Sequence, residues 1–257
     1  MTATMNTGAE TIRIDRSYMP LLLQLKTGGA FGVDDASESA LSQLEAGEVL
    51  RDGQLHPMAD AILDLVAEPA LVVSVERMRL GSVAESTIWA APYGATIGTR
   101  LDGGVYELKL ANTALLPFHL FQLIHIRPLP DGEPADVTLP AEAMLAAEAL
   151  LHDGNRPGAI QELTDAGVSE ASSAAAIGIL ESRIASWRIH SFWSNGHGTV
   201  TRQAHGMDCG PRGHVLATIG SAEPTIGLRT ATFADVTARI RSTLPRSEAR
   251  SDQESAE

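Results

Sequence analysis

The sequence has little of what disulfide-rich, membrane or secreted proteins need. It holds a single cysteine, Cys209, so no disulfide can form within the chain, and this fits a reducing compartment. No run of about 18 apolar residues is present, so we expect no membrane-spanning helix. The first ten residues carry neither a basic nor an apolar signal-peptide region, and we therefore expect a cytoplasmic protein.

Positive charge is also scarce. The net charge is -13, and the excess of acid is even, with 9 basic against 15 acidic residues in 1–127 and 10 against 17 in 128–257. An acidic surface repels phosphate backbones, which argues against a nucleic-acid partner. The segment from Leu41 to Leu65 resembles a helix-turn-helix unit, but it holds one arginine and five carboxylates, and this charge argues against the third hypothesis, a DNA-binding regulator.

Motifs of common enzyme classes are missing as well. The chain has no Gly-x-Gly-x-x-Gly, no phosphate loop and no His-Glu-x-x-His. We therefore predict a protein that is not an enzyme and that needs no cofactor.

Ordinary globular composition, 44% hydrophobic and 20% charged, indicates a folded chain. Strand-like and helix-like segments alternate, which predicts an α+β fold with a mostly antiparallel sheet and flanking helices. The segment 127–134 holds three prolines and a glycine and is the best internal boundary. We predict a first half at 10–127, a second half at 134–245 and a disordered tail at 246–257.

The two halves repeat one order of elements, with an offset of about 118 to 125 residues. Ile12 and Ile14 match Val137 and Leu139, and Leu41-x-x-Leu44 before Gly47 matches Ile160-x-x-Leu163 before Gly167. Leu108-Lys-Leu110 matches Ile226-Gly-Leu228, and each is followed by a helix. This pattern is typical of a duplication, although any α+β chain alternates its elements. Two such halves would share one sheet.

Histidines cluster with the cysteine in segment 190–214, which contains His190, His197, His205, Cys209 and His214. Zinc prefers three or four nitrogen or sulfur ligands, and the spacing of His205, Cys209 and His214 is loosely compatible with a zinc site. A small metal-assisted hydrolase that uses these three residues is therefore the alternative function. A Cys-His nucleophile pair is a weaker hypothesis, since the glycine-rich surroundings of Cys209 look like a turn.

Aromatic and apolar residues in strands suggest a protein-binding surface. Met78, Leu80 and Val83 surround Gly81 in a connection that is unusually apolar, and exposed apolar tips mark binding surfaces. Five of the eleven aromatic residues, Trp89, Tyr93, Trp187, Phe192 and Trp193, fall in predicted strands or, for Tyr93, in the turn between two of them. There they either pack in the core or anchor a partner. Our predicted partner contacts are Met78, Leu80, Val83, Trp89 and Trp193.

The layout as a whole resembles the EspG family of ESX (type VII) secretion-associated proteins of actinobacteria. The resemblance covers residues 10–245 and lies in the Leu41-x-x-Leu44-x-x-Gly47 helix followed by Asp52-Gly53-x-x-His56-Pro57, the strands from Leu71 to Leu110 with Trp89, and the repeat that ends in Thr225 to Leu244. It implies a quasi-two-fold α+β fold. It further implies a cytosolic chaperone that binds helical PE-PPE-type secretion substrates and hides their aggregation-prone tip, and it leaves a monomer or a homodimer open.

Overall fold

The computed structural model describes residues 3–28, 35–220 and 224–245, and the predicted tail at 246–257 lies outside them. Its contacts divide the chain into two compact units, Met1–His125 with Ser191–Thr201, and Ile126–His190 with Arg202–Glu257. That the two halves form one domain around a shared sheet stays a proposal. Across the described ranges no helix has the length and apolar character needed to cross a membrane.

The first unit is an antiparallel sheet covered by helices. Its elements are β1 (Ala3–Asn6), β2 (Thr11–Asp15), α1 (Met19–Lys26), α2 (Asp35–Ala46), β3 (Leu50–Arg51), β4 (Gln54–Leu55), α3 (Pro57–Ala67), β5 (Leu71–Arg79), β6 (Ser82–Ala91), β7 (Gly94–Arg100), β8 (Val105–Ala111) and α4 (Leu116–Leu123). The strand order is β1-β2-β8-β7-β6-β5, and every neighbouring pair in this series is antiparallel. At the edge of this sheet, β1 pairs with β2 and buries Ala3.

The second unit repeats this arrangement. Its elements are β9 (Asp136–Pro140), α5 (Ala141–His152), α6 (Arg156–Asp165), α7 (Glu170–Ser182), β10 (Ala185–Ser194), β11 (Thr199–Asp208), β12 (His214–Ile219), β13 (Thr225–Ala231) and α8 (Phe233–Arg241). The segment Ser191–Thr201, which holds the end of β10 and the start of β11, belongs to the first unit by its contacts. The strand order β10-β11-β12-β13-β9 matches β5-β6-β7-β8-β2 of the first unit element by element. The predicted α+β fold with antiparallel pairing is therefore confirmed.

Equivalent residues pair in equivalent ways in the two units. Ile12 on β2 lies opposite Leu108 on β8, and Val137 on β9 lies opposite Leu228 on β13. All four side chains are buried in the core of their own unit. The sequence comparison had aligned Leu108 with Ile226, which is two residues away from its structural counterpart. Strand side chains alternate with a period of two, so a shift of two residues leaves the apolar pattern unchanged.

Candidate protein-binding site

The β5–β6 hairpin ends in a two-residue turn of Leu80 and Gly81. Their φ angles of 47° and 79° are both positive, as in a type I′ turn, and Arg79 pairs with Ser82 across it. The Ser82 hydroxyl donates to the Arg79 carbonyl oxygen at 2.7 Å and further closes the turn. The predicted connection from Met78 to Val83 is thus almost entirely strand.

Three large apolar side chains are exposed at this turn. The exposed fractions are 44% for Met78, 89% for Leu80 and 56% for Val83, and Met78 lies directly opposite Val83. We call Met78 to Val83 the hairpin tip. Leu80 is unfavourable twice, because a left-handed conformation costs a residue other than glycine roughly 1–2 kcal/mol and because its side chain stays in water. Neither the turn nor the core requires a leucine at position 80. Its exposed apolar side chain therefore indicates a binding surface.

A polar row separates the hairpin tip from the core of the first unit. Glu76 on β5 lies opposite Glu85 on β6, one step inward on the same sheet face as Met78 and Val83. The Arg100 guanidinium on β7 donates to Glu85 at 2.9 Å, and this hydrogen bond raises the pKa of Arg100. The apolar side chains of the tip are therefore not an extension of the core.

Trp89 lies on the same sheet face as Met78 and Val83, but at the far end of β6. It is half-buried against the helix-covered core, and its ring lies across Gly98, where a Cβ would come within 2.6 Å of the ring atom Cζ3. Trp89 lies six positions along β6 from Val83, a distance of about 20 Å. The structure therefore does not bring Trp89 together with the tip, and a contact between Trp89 and a partner stays a prediction.

Trp193 lies near the end of β10, in the same compact unit as the hairpin tip, and is half-buried. Its neighbour Phe192 is 39% exposed. Sequence reasoning also missed the exposed Leu115 and Phe118. Tyr93 lies in the turn between β6 and β7, where the sequence places a turn at Pro92-Tyr93-Gly94, and it is exposed. Apolar periodicity shows that a side chain belongs to one face of an element, but not whether another element covers that face.

The alternative zinc site at His205, Cys209 and His214 does not form. The Cys209 thiol is buried in the core of the second unit and donates to the Ile179 carbonyl oxygen at 3.7 Å. Burial raises the pKa of this thiol to about 11, so it is protonated and a poor ligand or nucleophile.

The two histidines of this set contact different groups. The His214 ring reaches the Arg127 carbonyl oxygen at 2.9 Å, and the His205 ring lies 5.5 Å from that of His190. Within the described residues no three histidine, cysteine or acidic side chains are grouped closely enough to bind a metal ion. The spacing along the sequence was misleading, because the chain turns between these residues and directs their side chains apart.

Comparison with known proteins assigns the chain to a family. The EspG family model matches residues 10–246. The structure is similar to that of the Mycobacterium tuberculosis type VII secretion system chaperone EspG5 in complex with a PE25-PPE41 dimer. The TM-score is 0.61 at 16% sequence identity, and the match covers 92% of this chain and 97% of the other, so it shows a common fold. No curated protein matches the sequence. Since the family model spans nearly the whole sequence, the chain belongs to the EspG family.

Proposed function

We propose that this protein is a cytosolic chaperone of type VII secretion that binds PE-PPE-type substrate proteins and keeps them soluble for export. The family membership and the common fold with EspG5, which is bound to PE25-PPE41, support this role. The protein acts by binding and not by catalysis.

The observation that carries the proposal is the hairpin tip. Leu80 is 89% exposed in a left-handed conformation, so folding gains nothing from a leucine at this position. A flexible methionine and a β-branched valine complete an apolar surface, and such a surface can cover the apolar end of a helical partner. The contact is small, so its affinity is modest and the substrate can be released for export.

Co-expression with each PE-PPE pair encoded in the source genome tests the function. Light scattering after size exclusion measures the stoichiometry, and turbidity of the pair with and without the chaperone measures its solubility. We expect one pair to form a stoichiometric complex and to stay in solution. Failure to bind every pair would refute the proposed function.

Substitutions of Leu80 test the role of the tip. We expect Leu80→Asp to weaken substrate binding at least tenfold. Leu80→Asn removes the apolar side chain but suits a type I′ turn, so it should weaken binding while raising the melting temperature. The matched control is Ile219→Asp, because Ile219 is 53% exposed at the end of β12 and belongs to the second unit. If both Leu80 variants bound the substrate as tightly as Ile219→Asp does, the tip would be excluded as the contact site.

A further inference from the structure

A groove of the first unit lies beside the turn between β6 and β7. Its volume is about 700 Å³, within the range of about 300–1,000 Å³ that is common for binding sites. Tyr93 and Leu115 line it and are 75% and 50% exposed, and Phe118, three residues further along, is 53% exposed. We call it the Tyr93 groove. It lies at the end of β6 that is farthest from the hairpin tip, and the ten residues of this strand span about 30 Å.

The second unit contains a counterpart of the Tyr93 groove. In the first unit, the Leu110 N–H donates to the Glu10 carbonyl oxygen at the start of β2. In the second unit, the Thr230 N–H donates to the Ala135 carbonyl oxygen at the start of β9. Both donors lie two residues after the equivalent core leucines of β8 and β13. The ends of these strands therefore correspond residue by residue.

The helices and turns beside the two grooves also correspond. After α3, the Ala70 N–H donates to the Ala90 carbonyl oxygen of β6. After α7, the Ile184 N–H donates to the Asp208 carbonyl oxygen of β11 in the same way. The residues that line the two grooves are therefore equivalent in pairs, which include Leu65 and Ile179 on the helices, Tyr93 and Arg212 at the turns, and Leu110 and Thr230 on the strands.

The linker between the two repeats, residues 127–134, covers the counterpart groove. Glu133 lines this groove, which has a volume of only about 230 Å³. The Thr230 hydroxyl donates to the Glu133 carbonyl oxygen at 3.0 Å. A Cβ on Gly132 would overlap the Arg212 carbonyl oxygen, so the linker backbone lies directly on the turn between β11 and β12. The second unit therefore fills its groove with an extended segment of the chain.

Among the described residues of the first unit, no segment takes the place of the linker. The chain enters β2 through a tight turn, in which the Glu10 N–H donates to the Thr7 carbonyl oxygen and Glu10 has a φ of 52°. This turn directs the preceding residues back along β2, where they pair with it as β1. They therefore lie at the sheet edge and leave the Tyr93 groove open.

The fold does not require large apolar residues at the Tyr93 groove. In the second unit, the positions of Tyr93, Leu115 and Phe118 are taken by Arg212, Asp235 and Ala238. Each of α4 and α8 buries two residues that lie four positions apart, and this fixes the alignment of the two helices. The same arrangement thus forms with charged and small residues. Exposed apolar side chains that folding does not need indicate a binding surface.

We propose that the Tyr93 groove binds an extended, proline-containing peptide segment of another protein, in the position that the linker takes in the second unit. The linker holds three prolines in eight residues, and prolines keep such a segment extended before it binds. A proline ring packs well on an exposed aromatic ring such as that of Tyr93, and Leu115 extends the apolar surface. This site is separate from the hairpin tip and goes beyond the proposed function.

Neither the linker of a second copy nor the end of the chain supplies this segment. The linker of each copy is held by its own second unit through the contacts of Gly132 and Glu133. Residues 246–257 contain neither a proline nor a large apolar side chain. The ligand is therefore a segment of a different protein.

Fluorescence anisotropy with a labelled peptide tests the site. The probe is the linker sequence Arg-Pro-Leu-Pro-Asp-Gly-Glu-Pro with capped ends, and it is titrated with the full chain. We expect saturable binding, and roughly tenfold weaker binding when alanine replaces the three prolines, because the free peptide then has more conformational freedom to lose. Leu80→Asp should bind the probe as the wild type does, since the hairpin tip lies at the far end of β6.

The second unit supplies the residue types for the groove variant. Tyr93→Arg combined with Leu115→Asp introduces the arginine and aspartate of the counterpart positions and leaves the net charge unchanged. It should weaken binding of the probe at least about tenfold, because the apolar contact is lost. The control is Leu145→Asp, at a residue of α5 that is 63% exposed, which should bind as the wild type does.

A wild type that does not bind the probe would overturn the proposal, and so would a double variant that binds it equally well. Equal binding of the alanine peptide would overturn the requirement for proline. A photo-crosslinking residue in place of the leucine of the probe locates the bound peptide on the wild type without any substitution. We expect cross-links to residues 92–94 and 110–115, and cross-links confined to other parts of the chain would also overturn the proposal.

Discussion

The His214 ring and the Arg127 backbone are joined by a hydrogen bond of 2.9 Å, in which Nε2 donates to the carbonyl oxygen. The bond fixes the tautomer, so Nδ1 carries no proton, and this buried atom has no hydrogen-bond partner among the residues that the structure describes. Arg127 begins the segment between the two repeats. The same segment packs closely on the residue before His214, since a Cβ on Gly213 would come within 2.6 Å of the Pro130 carbonyl oxygen.

The burial of His214 predicts acid sensitivity. Burial is the largest effect on His214 and lowers its pKa below the ordinary value of 6.5, although the Arg127 hydrogen bond and Asp208 act in the opposite direction. The unfolded chain therefore binds the proton more readily, and the stability due to neutral His214 is present above pH 6.5 and lost as pH falls through the lowered pKa. Urea unfolding at a series of pH values measures this loss. His214→Gln keeps an N–H donor and cannot titrate, so it should show a shallower decline, and an equal decline in both proteins would contradict the prediction.

The contact between Trp89 and Gly98 predicts a packing defect. In Gly98→Ala the new methyl group would overlap the Trp89 ring and reach Leu108 Cδ2 at 3.0 Å. Overpacking of this kind costs about 1–3 kcal/mol, so the free energy of unfolding should fall by that amount. Gly8→Ala is the control, because its methyl group would meet Asn6 Oδ1 at an ordinary 3.6 Å. Equal stability of the two variants in urea would show that Trp89 moves aside without cost.

The ends of α2 and α6 share one conformation but place different residue types in it. The Val49 N–H donates to the Leu44 carbonyl oxygen and the Val168 N–H to that of Leu163, so both helices close in the same way. The left-handed residue is Glu48 in the first case, with φ 61°, and Gly167 in the second, with φ 87°. The helix α2 ends at Ala46, directly before Gly47, as the sequence pattern indicates, but Gly47 is not its left-handed residue. Gly47 instead lies against β1, where a Cβ would overlap the Ala3 carbonyl oxygen.

Exchanging these residue types should change stability in opposite directions. Gly167→Ala forces alanine into the left-handed region and should lower the free energy of unfolding by about 1–2 kcal/mol. Glu48→Gly relieves that cost but adds backbone freedom to the unfolded chain, so we expect a gain of about 0.5 kcal/mol. Thermal and urea unfolding measure both. A loss of stability in Glu48→Gly would mean that the glutamate side chain contributes more than its conformation costs.

Burial of Cys209 predicts a protected thiol. Because its pKa is about 11 and its side chain is fully buried, it should react with a disulfide reagent only when the second unit opens. We expect slow labelling of the native protein at mildly alkaline pH and complete labelling in urea. Zinc and a chelator should both leave the melting temperature unchanged. Rapid labelling of the native protein, or a rise in melting temperature with zinc, would restore the metal-site hypothesis.

Local patterns in the sequence determined the fold class and the repeat. Alternating apolar residues such as Ile12 and Ile14, and turn residues such as Asp52 and Gly53, report the conformation of their own segment, because side-chain direction and positive φ are local properties. The repeated order of elements was readable for the same reason. The absence of basic clusters and of catalytic motifs is likewise a property of the sequence alone.

Tertiary structure decided the register and the site. It placed Leu228 rather than Ile226 opposite Val137, because the pairing of distant strands depends on packing across the whole sheet. It exposed Leu80 and Tyr93, packed the half-buried Trp89 against a helix-covered face and enclosed Cys209 in the core. Whether an apolar side chain contacts water depends on which other elements cover it, and one segment of sequence does not contain that information.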